Sequence, residues 1–110
     1  MTTFPMISYK VFDQWLEQGK IAQLIDLREP WMFEKDRLWG GVNIPYEELE
    51  NHMDFITRDG TVVFYCDRGA KSMLICRDLW RMGYDAVDLA GGMLNYRGKY
   101  IDRRAGSALE

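Results

Sequence analysis

The chain has 110 residues, of which 47% are hydrophobic and 28% charged with both signs mixed, the make-up of one small globular domain that needs neither metal nor disulfide staple to build a core. A net charge of −3 and a pI near 5.2 exclude nucleic acid as the main partner, because that binding needs a clustered basic face. No apolar run approaches the ~18 residues that span a bilayer, so membrane is excluded as well.

Taken in chain order, "ISYKVFDQWLEQG" places Val11, Phe12, Trp15 and Leu16 at helical spacing and stops at Gly19, a residue suited to ending a helix. Ile21 to Arg28 reads as a buried strand, followed by a short helix around Glu29 to Lys35 and a brief strand in Gly40 to Pro45, closed by proline. "YEELENHMDFI" is expected to be helical, with Leu49, Met53 and Ile56 on one face. Thr61 to Cys66, β-branched and aromatic, is a central strand. "KSMLICRDLWRMG" is the clearest helix, its inner side lined by Ser72, Ile75, Cys76, Leu79 and Met82 or Trp80. "AVDLAGG" is a last short strand and "MLNYRGKYI" a closing helix. Strands alternating with helices imply an α/β fold, a central mostly parallel sheet of about five strands with helices on both faces.

Residues 1–104 form a single domain on this reading. Residues 105–110 are a flexible tail in which Leu109-Glu110 resembles a cloning remnant. Arg103-Arg104, beside that tail, reads as solvated. The N-terminus lacks the charged start and apolar run of a secretion signal, so the expected location is the cytoplasm, where Cys66 and Cys76 stay reduced.

Ligands of open parallel sheets bind at the carboxyl ends of the strands, and Cys66 sits at such an end. A cysteine closing a strand is, taken alone, usually a small buried hydrophobe. The sequence after it changes that balance. Asp67, Arg68, Gly69, Ala70 and Lys71 form a loop of net charge +1 that runs into a helix at Ser72. A thiol becomes a good nucleophile when ionised, and its pKa of ~8.5 falls at a helix N-terminus or beside cations. Gly69 lets the chain turn tightly, so that successive backbone N–H groups converge into a nest for an anion. The expectation is a thiolate inside an anion pocket, suited to attack on an anionic substrate.

Other chemistries fit less well. The one histidine, His52, lies in a helix with acidic neighbours and is expected at the surface, which leaves a Cys–His hydrolase without a base. No C-x-x-C or His/Cys cluster suggests a metal or a dithiol, and no cofactor is expected. Cys76 is expected to pack in the core, with a resolving role as the lesser alternative.

Four elements in order resemble the rhodanese-like domain, the family of single-domain sulfurtransferases. "LIDLRE" (Leu24 to Glu29) is similar to its Asp-x-Arg-Glu strand, "RLWGGVNIPYEEL" (Arg37 to Leu49) to its "HIPGAxNIPxxEL" segment, "VVFYCDRGAKS" to its persulfide loop and "VDLAGGMLNY" to its closing segment. Arg37 stands where the family usually has His, Trp39 where it has Pro and Gly41 where it has Ala. Asp67 is a further oddity, since thiosulfate-directed loops are more cationic. In the family, loop length separates sulfur from phosphate: related phosphatases close C-x5-R, one residue longer. Here Cys66 to Lys71 make six residues and the seventh is Ser72, so no arginine is placed to grip a phosphoryl group.

The resemblance implies ping-pong sulfur transfer without a cofactor. Cys66 would take the outer sulfur of thiosulfate or a similar small anionic donor as a persulfide, and pass it to cyanide, a thiol or a protein acceptor. Asp67 to Ser72 would cradle the donor, with Arg68 and Lys71 attracting it and stabilising the sulfite that leaves. Asp26 and Arg28 would be a charge pair bracing the loop, against the plainer reading of Arg28 as a surface cation. A second hypothesis is a persulfide carrier or docking module with little turnover, motivated by Trp31 and Trp39 near a loop; the plainer alternative packs both in the core.

Overall fold

The computed structural model describes residues 4–103; the expected tail 105–110, and Arg104 of the basic pair, lie outside them. The elements run β1 (Met6–Ile7), α1 (Tyr9–Glu17), β2 (Gln23–Asp26), α2 (Pro30–Lys35), β3 (Arg37–Leu38), β4 (Val42–Asn43), a 3-10 segment Tyr46–Phe55, β5 (Val62–Tyr65), α3 (Ala70–Arg81), β6 (Ala86–Leu89), a 3-10 turn Met93–Asn95 and β7 (Ile101–Asp102). Five strands make one sheet in the order β1-β6-β5-β2-β4, every pair parallel. β5 is therefore the central strand, and Cys66 follows its last residue.

Side chains alternate across β5, as a pleated strand requires. Val62, Phe64 and Cys66 enter the layer beneath α3 and the 3-10 segment, with Leu49, Cys76 and Leu79. Val63 and Tyr65 enter the opposite layer beneath α1, with Phe12, Leu38 and Tyr96. Both faces are covered, which is why β2, β5 and β6 are buried almost along their whole length rather than on alternate residues.

Helix boundaries follow local chemistry. The Ser8 hydroxyl accepts the Val11 N–H at 3.3 Å and starts α1. At the other end Gly19, with φ of 68°, takes the left-handed turn that lets the chain leave it.

Three expectations need correcting. "MLNYRGKYI" is not a helix; after Met93–Asn95 it runs irregularly to β7, which pairs antiparallel with β3 outside the main sheet. Asp13 of α1 is the cause: its carboxylate accepts the Tyr96 hydroxyl at 2.5 Å and the Lys99 N–H at 3.1 Å. Gly98 packs so closely on that carboxylate that a Cβ would lie 2.4 Å from Oδ2. The second is "YEELENHMDFI", a 3-10 segment broken at His52 (φ −124°, ψ 20°) rather than a continuous helix. The Gln23 side chain pins its far end, bonding Phe55 O at 2.7 Å and Thr57 N at 2.9 Å. Third, Ile7 leaves the first helix to join Met6 in an edge strand beside β6, and "AVDLAGG" is not the last strand, because β7 follows it in the chain.

Candidate active site

α3 begins without a capping side chain: Gly69 occupies its N-cap with φ of 101°, a conformation that costs a residue with a Cβ ~1–2 kcal/mol. The orphan N–H groups of a helix start need acceptors, and here the Cys66 sulfur supplies one. Sγ accepts from Gly69 N at 3.1 Å and from Ser72 N at 3.4 Å. The thiol faces Ser72 Oγ at 3.5 Å, and the Ser72 hydroxyl donates to Gly69 O at 3.2 Å. Cys66 is 4% exposed and Ser72 fully buried. Two N–H dipoles and the positive end of a twelve-residue helix thus converge on one sulfur, an arrangement that stabilises negative charge there.

The loop is held from behind by the segment after β6. Met93 N donates to Cys66 O and Leu94 N to Asp67 O, both at 2.9 Å. That approach requires Gly92, whose φ of 63° and ψ of −159° lie in a region essentially confined to glycine. A Cβ at Gly92 would lie 2.4 Å from Cys66 O.

Asp26 and Arg28 form a buried pair, so the surface-cation reading of Arg28 is corrected. Arg28 Nη2 lies 2.8 Å from Asp26 Oδ2, Nε bonds both carboxylate oxygens at 3.1 Å, and Arg28 N adds a bond to Oδ1 at 2.9 Å. The guanidinium also reaches Asp36 O at 2.5 Å and Asp36 Oδ1 at 3.3 Å. Burial opposes its charge, but the Asp26 carboxylate outweighs that and holds the guanidinium above its ordinary pKa. The pair ties the end of β2 to the end of α2, one wall of the site.

A hollow of about 310 Å³ opens over the sulfur, lined by Leu27, Arg28, Glu29, Met32, Glu47, Cys66, Asp67, Arg68, Ala70 and Lys71. Of the loop residues named from sequence, Asp67, Arg68, Ala70 and Lys71 line it, while Gly69 and Ser72 hold the sulfur from below. The cations are compensated. Lys71 Nζ lies 3.3 Å from Glu47 Oε2, and Arg68, its side chain 79% exposed, lies 4.0 Å from Asp67 Oδ2.

Cys76 packs fully buried in the same layer as Cys66, and burial pushes its thiol well above the ordinary value. His52 is exposed, its Nδ1 against Glu48 O. Core packing of the tryptophans is overturned: Trp31 is 56% and Trp39 49% exposed. They do not share a surface, since Trp31 lies in a groove beside the loop and Trp39 beside Leu16, Val42 and Phe55. Arg37 is a strut, buried, stacked 4.4 Å over Phe33 and bonded to Phe33 O. Gly41 leaves room for the Tyr65 hydroxyl, 3.1 Å from where its Cβ would be.

Sequence reasoning missed the parts contributed by distant segments. The Gly91-Gly92 pair after a strand was a usable signal for Gly92; nothing local marked Asp36, Glu47 or Met32. It also missed Asp88 at the end of β6, fully buried, with neither carboxylate oxygen hydrogen-bonded. Burial raises its pKa, and the nearby Ser72 opposes that shift even though its hydroxyl is spent on Gly69 O. Among the described residues no helix is long and apolar enough to cross a membrane, and no group of three His, Cys, Asp or Glu could hold a metal ion.

Comparison with known proteins agrees with this fold. The family model for the rhodanese-like domain matches residues 8–99. A sulfurtransferase of Allochromatium vinosum is 32% identical over 80% of this chain and 83% of its own. The thiosulfate sulfurtransferase PspE of Escherichia coli is 34% identical over 63% of this chain and 68% of its own. Other relatives are longer: the chain spans 54% of one from Bacillus subtilis and 14% of one from Desulfurococcus amylolyticus. The crystal structure of a rhodanese-related protein from Thermoplasma volcanium superposes with a TM-score of 0.82 over 90% of this chain and 98% of that one, at 22% identity.

Proposed function

The chain belongs to the rhodanese-like domain family, and from that premise we propose that it is a sulfurtransferase moving a sulfane sulfur from thiosulfate or a similar donor to a thiophilic acceptor through a persulfide on Cys66. The observation that carries the proposal is the Cys66 sulfur at the N-terminus of α3, accepting the Gly69 and Ser72 N–H groups. Relatives named as sulfurtransferases support a sulfur-transfer role.

In the first half-reaction the Cys66 thiolate attacks the outer sulfur of thiosulfate. The S–S bond of the donor breaks, sulfite leaves with the electron pair, and Cys66–S–S⁻ remains. The outer sulfur then sits where N–H groups of the loop and helix start oppose its charge. In the second, cyanide or a thiolate attacks that outer sulfur and Cys66 departs as thiolate, restoring the starting state. No general base is needed once the thiol is ionised. A phosphatase reading is disfavoured, because the position after the six-residue loop is Ser72 and the sulfur is already engaged by its N–H.

Intact-mass measurement after exposure to thiosulfate tests the proposal. A gain of one sulfur atom, absent in Cys66→Ala, is expected; no adduct with any sulfane donor would refute it. The exposure of Trp31 beside the site favours, as a second reading, a persulfide carrier that docks on a partner. Loading of Cys66 without thiosulfate:cyanide turnover would favour the carrier.

A further inference from the structure

The hollow over Cys66 continues into a second one of about 390 Å³; the two share Arg28, Met32 and Asp67. One wall of this groove is α2 with the residue after it, presenting Trp31, Lys35 and Asp36, and the other is the segment after β6, presenting Leu94 and Arg97, with Arg103 just past β7; the Asp36 carboxylate is met by Arg28 Nη1 at 3.3 Å. Lys35 Nζ lies 5.9 Å from the centroid of the exposed Trp31 ring. None of Lys35, Arg97 and Arg103 has a carboxylate partner among the described residues; Arg97 bonds only the carbonyls of Leu94 and Tyr96. A chain of net charge −3 thus collects three uncompensated cations along one groove, whereas at the mouth over the sulfur Arg68 and Lys71 each face a carboxylate.

Asp67 stands at the junction of the two hollows, next to the reactive sulfur. It faces Arg68 at 4.0 Å, so the uncompensated positive charge lies farther on, past Met32. The volumes are those of small-molecule sites, and an exposed indole with apolar Met32 and Leu94 suits an organic body. We propose that this groove is a subsite for the anionic arm of an organic thiol, the physiological partner with which Cys66 exchanges sulfur. The proposal rests on sulfur transfer at Cys66 and deepens it by naming a substrate class. The step balances without added reagents: R–S⁻ attacks the outer sulfur of Cys66–S–SH, that S–S bond breaks, and R–S–SH and the Cys66 thiolate form. In reverse, the same groove would seat an organic persulfide as donor.

The test loads Cys66 with thiosulfate, verifies the persulfide by intact mass, removes the excess and follows sulfur loss to three thiols. Coenzyme A carries phosphates, glutathione carries carboxylates, and pantetheine shares the thiol end of coenzyme A without its charge. Compared per thiolate, at least one charged thiol is expected to exceed pantetheine in kcat/KM by roughly tenfold or more, the scale on which a charged cleft concentrates its ligand. That ratio should collapse toward one in Lys35→Glu/Arg103→Glu, both positions being exposed, and shrink as salt rises. Preference for coenzyme A assigns phosphate, preference for glutathione carboxylate. Equal rates for all three thiols, or a ratio unmoved by the double substitution, would overturn the subsite. Failure to load Cys66 at all would remove the sulfur-transfer reading instead, and the mass spectrum separates the two failures.

Discussion

Replacing Gly92 with alanine should disable the site while leaving the chain folded. The new Cβ would lie 2.4 Å from Cys66 O and 2.7 Å from Asp67 O. A carbon normally approaches a carbonyl oxygen no closer than ~3.3 Å, so the loop must retreat by roughly 0.9 Å. The two carbonyls accept Met93 N and Leu94 N, bonds worth ~1 kcal/mol each. The backbone at φ 63°, ψ −159° adds ~1–3 kcal/mol of strain for a residue with a Cβ. Together these predict a loss of about 3–5 kcal/mol in chemical denaturation. Displacing a reacting atom by about 1 Å costs on the order of 100-fold in rate, so single-turnover loading of Cys66, timed by intact mass, should slow by that factor. Gly40→Ala is the control: φ is +83° but nothing lies within 4 Å, so it should cost only the ~1–2 kcal/mol of the left-handed conformation. A Gly92→Ala protein with unchanged stability and loading rate would refute the view that this contact sets the loop.

Arg28→Met leaves the fully buried Asp26 carboxylate without its counter-charge and should cost ~3–5 kcal/mol, most of it regained in Asp26→Leu/Arg28→Met; a double variant as unstable as the single would contradict this in urea titrations. Ser72→Ala keeps the N–H to the sulfur but removes the hydroxyl 3.5 Å away, and stopped-flow loading should slow roughly tenfold if the hydroxyl turns to the charged sulfur, ~1.5 kcal/mol. Asp88→Asn tests the buried acid. Because its folded pKa is raised, the contribution of Asp88 to stability is complete below the unfolded value of ~3.9 and is lost as pH climbs through the folded value. The asparagine variant should therefore gain in denaturation midpoint relative to wild type from pH 4 to pH 8; a difference independent of pH would mean Asp88 does not titrate so.

The parallel sheet, α1, α3 and the strand–cysteine–loop–helix junction were legible in the amino-acid order because each rests on short-range information: apolar period, a glycine at a turn, the six-residue count from Cys66 to Lys71. The same information misled where a distant residue intervened. Local periodicity made a helix of "MLNYRGKYI", but Asp13, more than eighty residues earlier, takes its hydroxyl and N–H donors. Two-residue strands such as β1 and β7 carry too few side chains to show a period at all.

The site divides the same way. That Cys66 would meet a helix N-terminus followed from sequence, since Gly69 and Ser72 lie three and six residues beyond it. That Glu47 compensates Lys71, that Asp36 completes the Arg28 network and that Gly92 admits two N–H groups behind the loop depended on chain crossings between separate segments. Charge and close packing act through space over a few ångströms, and the sequence specifies those distances only once the whole sheet is assembled. Asp67, the oddity of the loop in one dimension, has a place in three: it faces Arg68 and divides the mouth over the sulfur from the basic groove beyond.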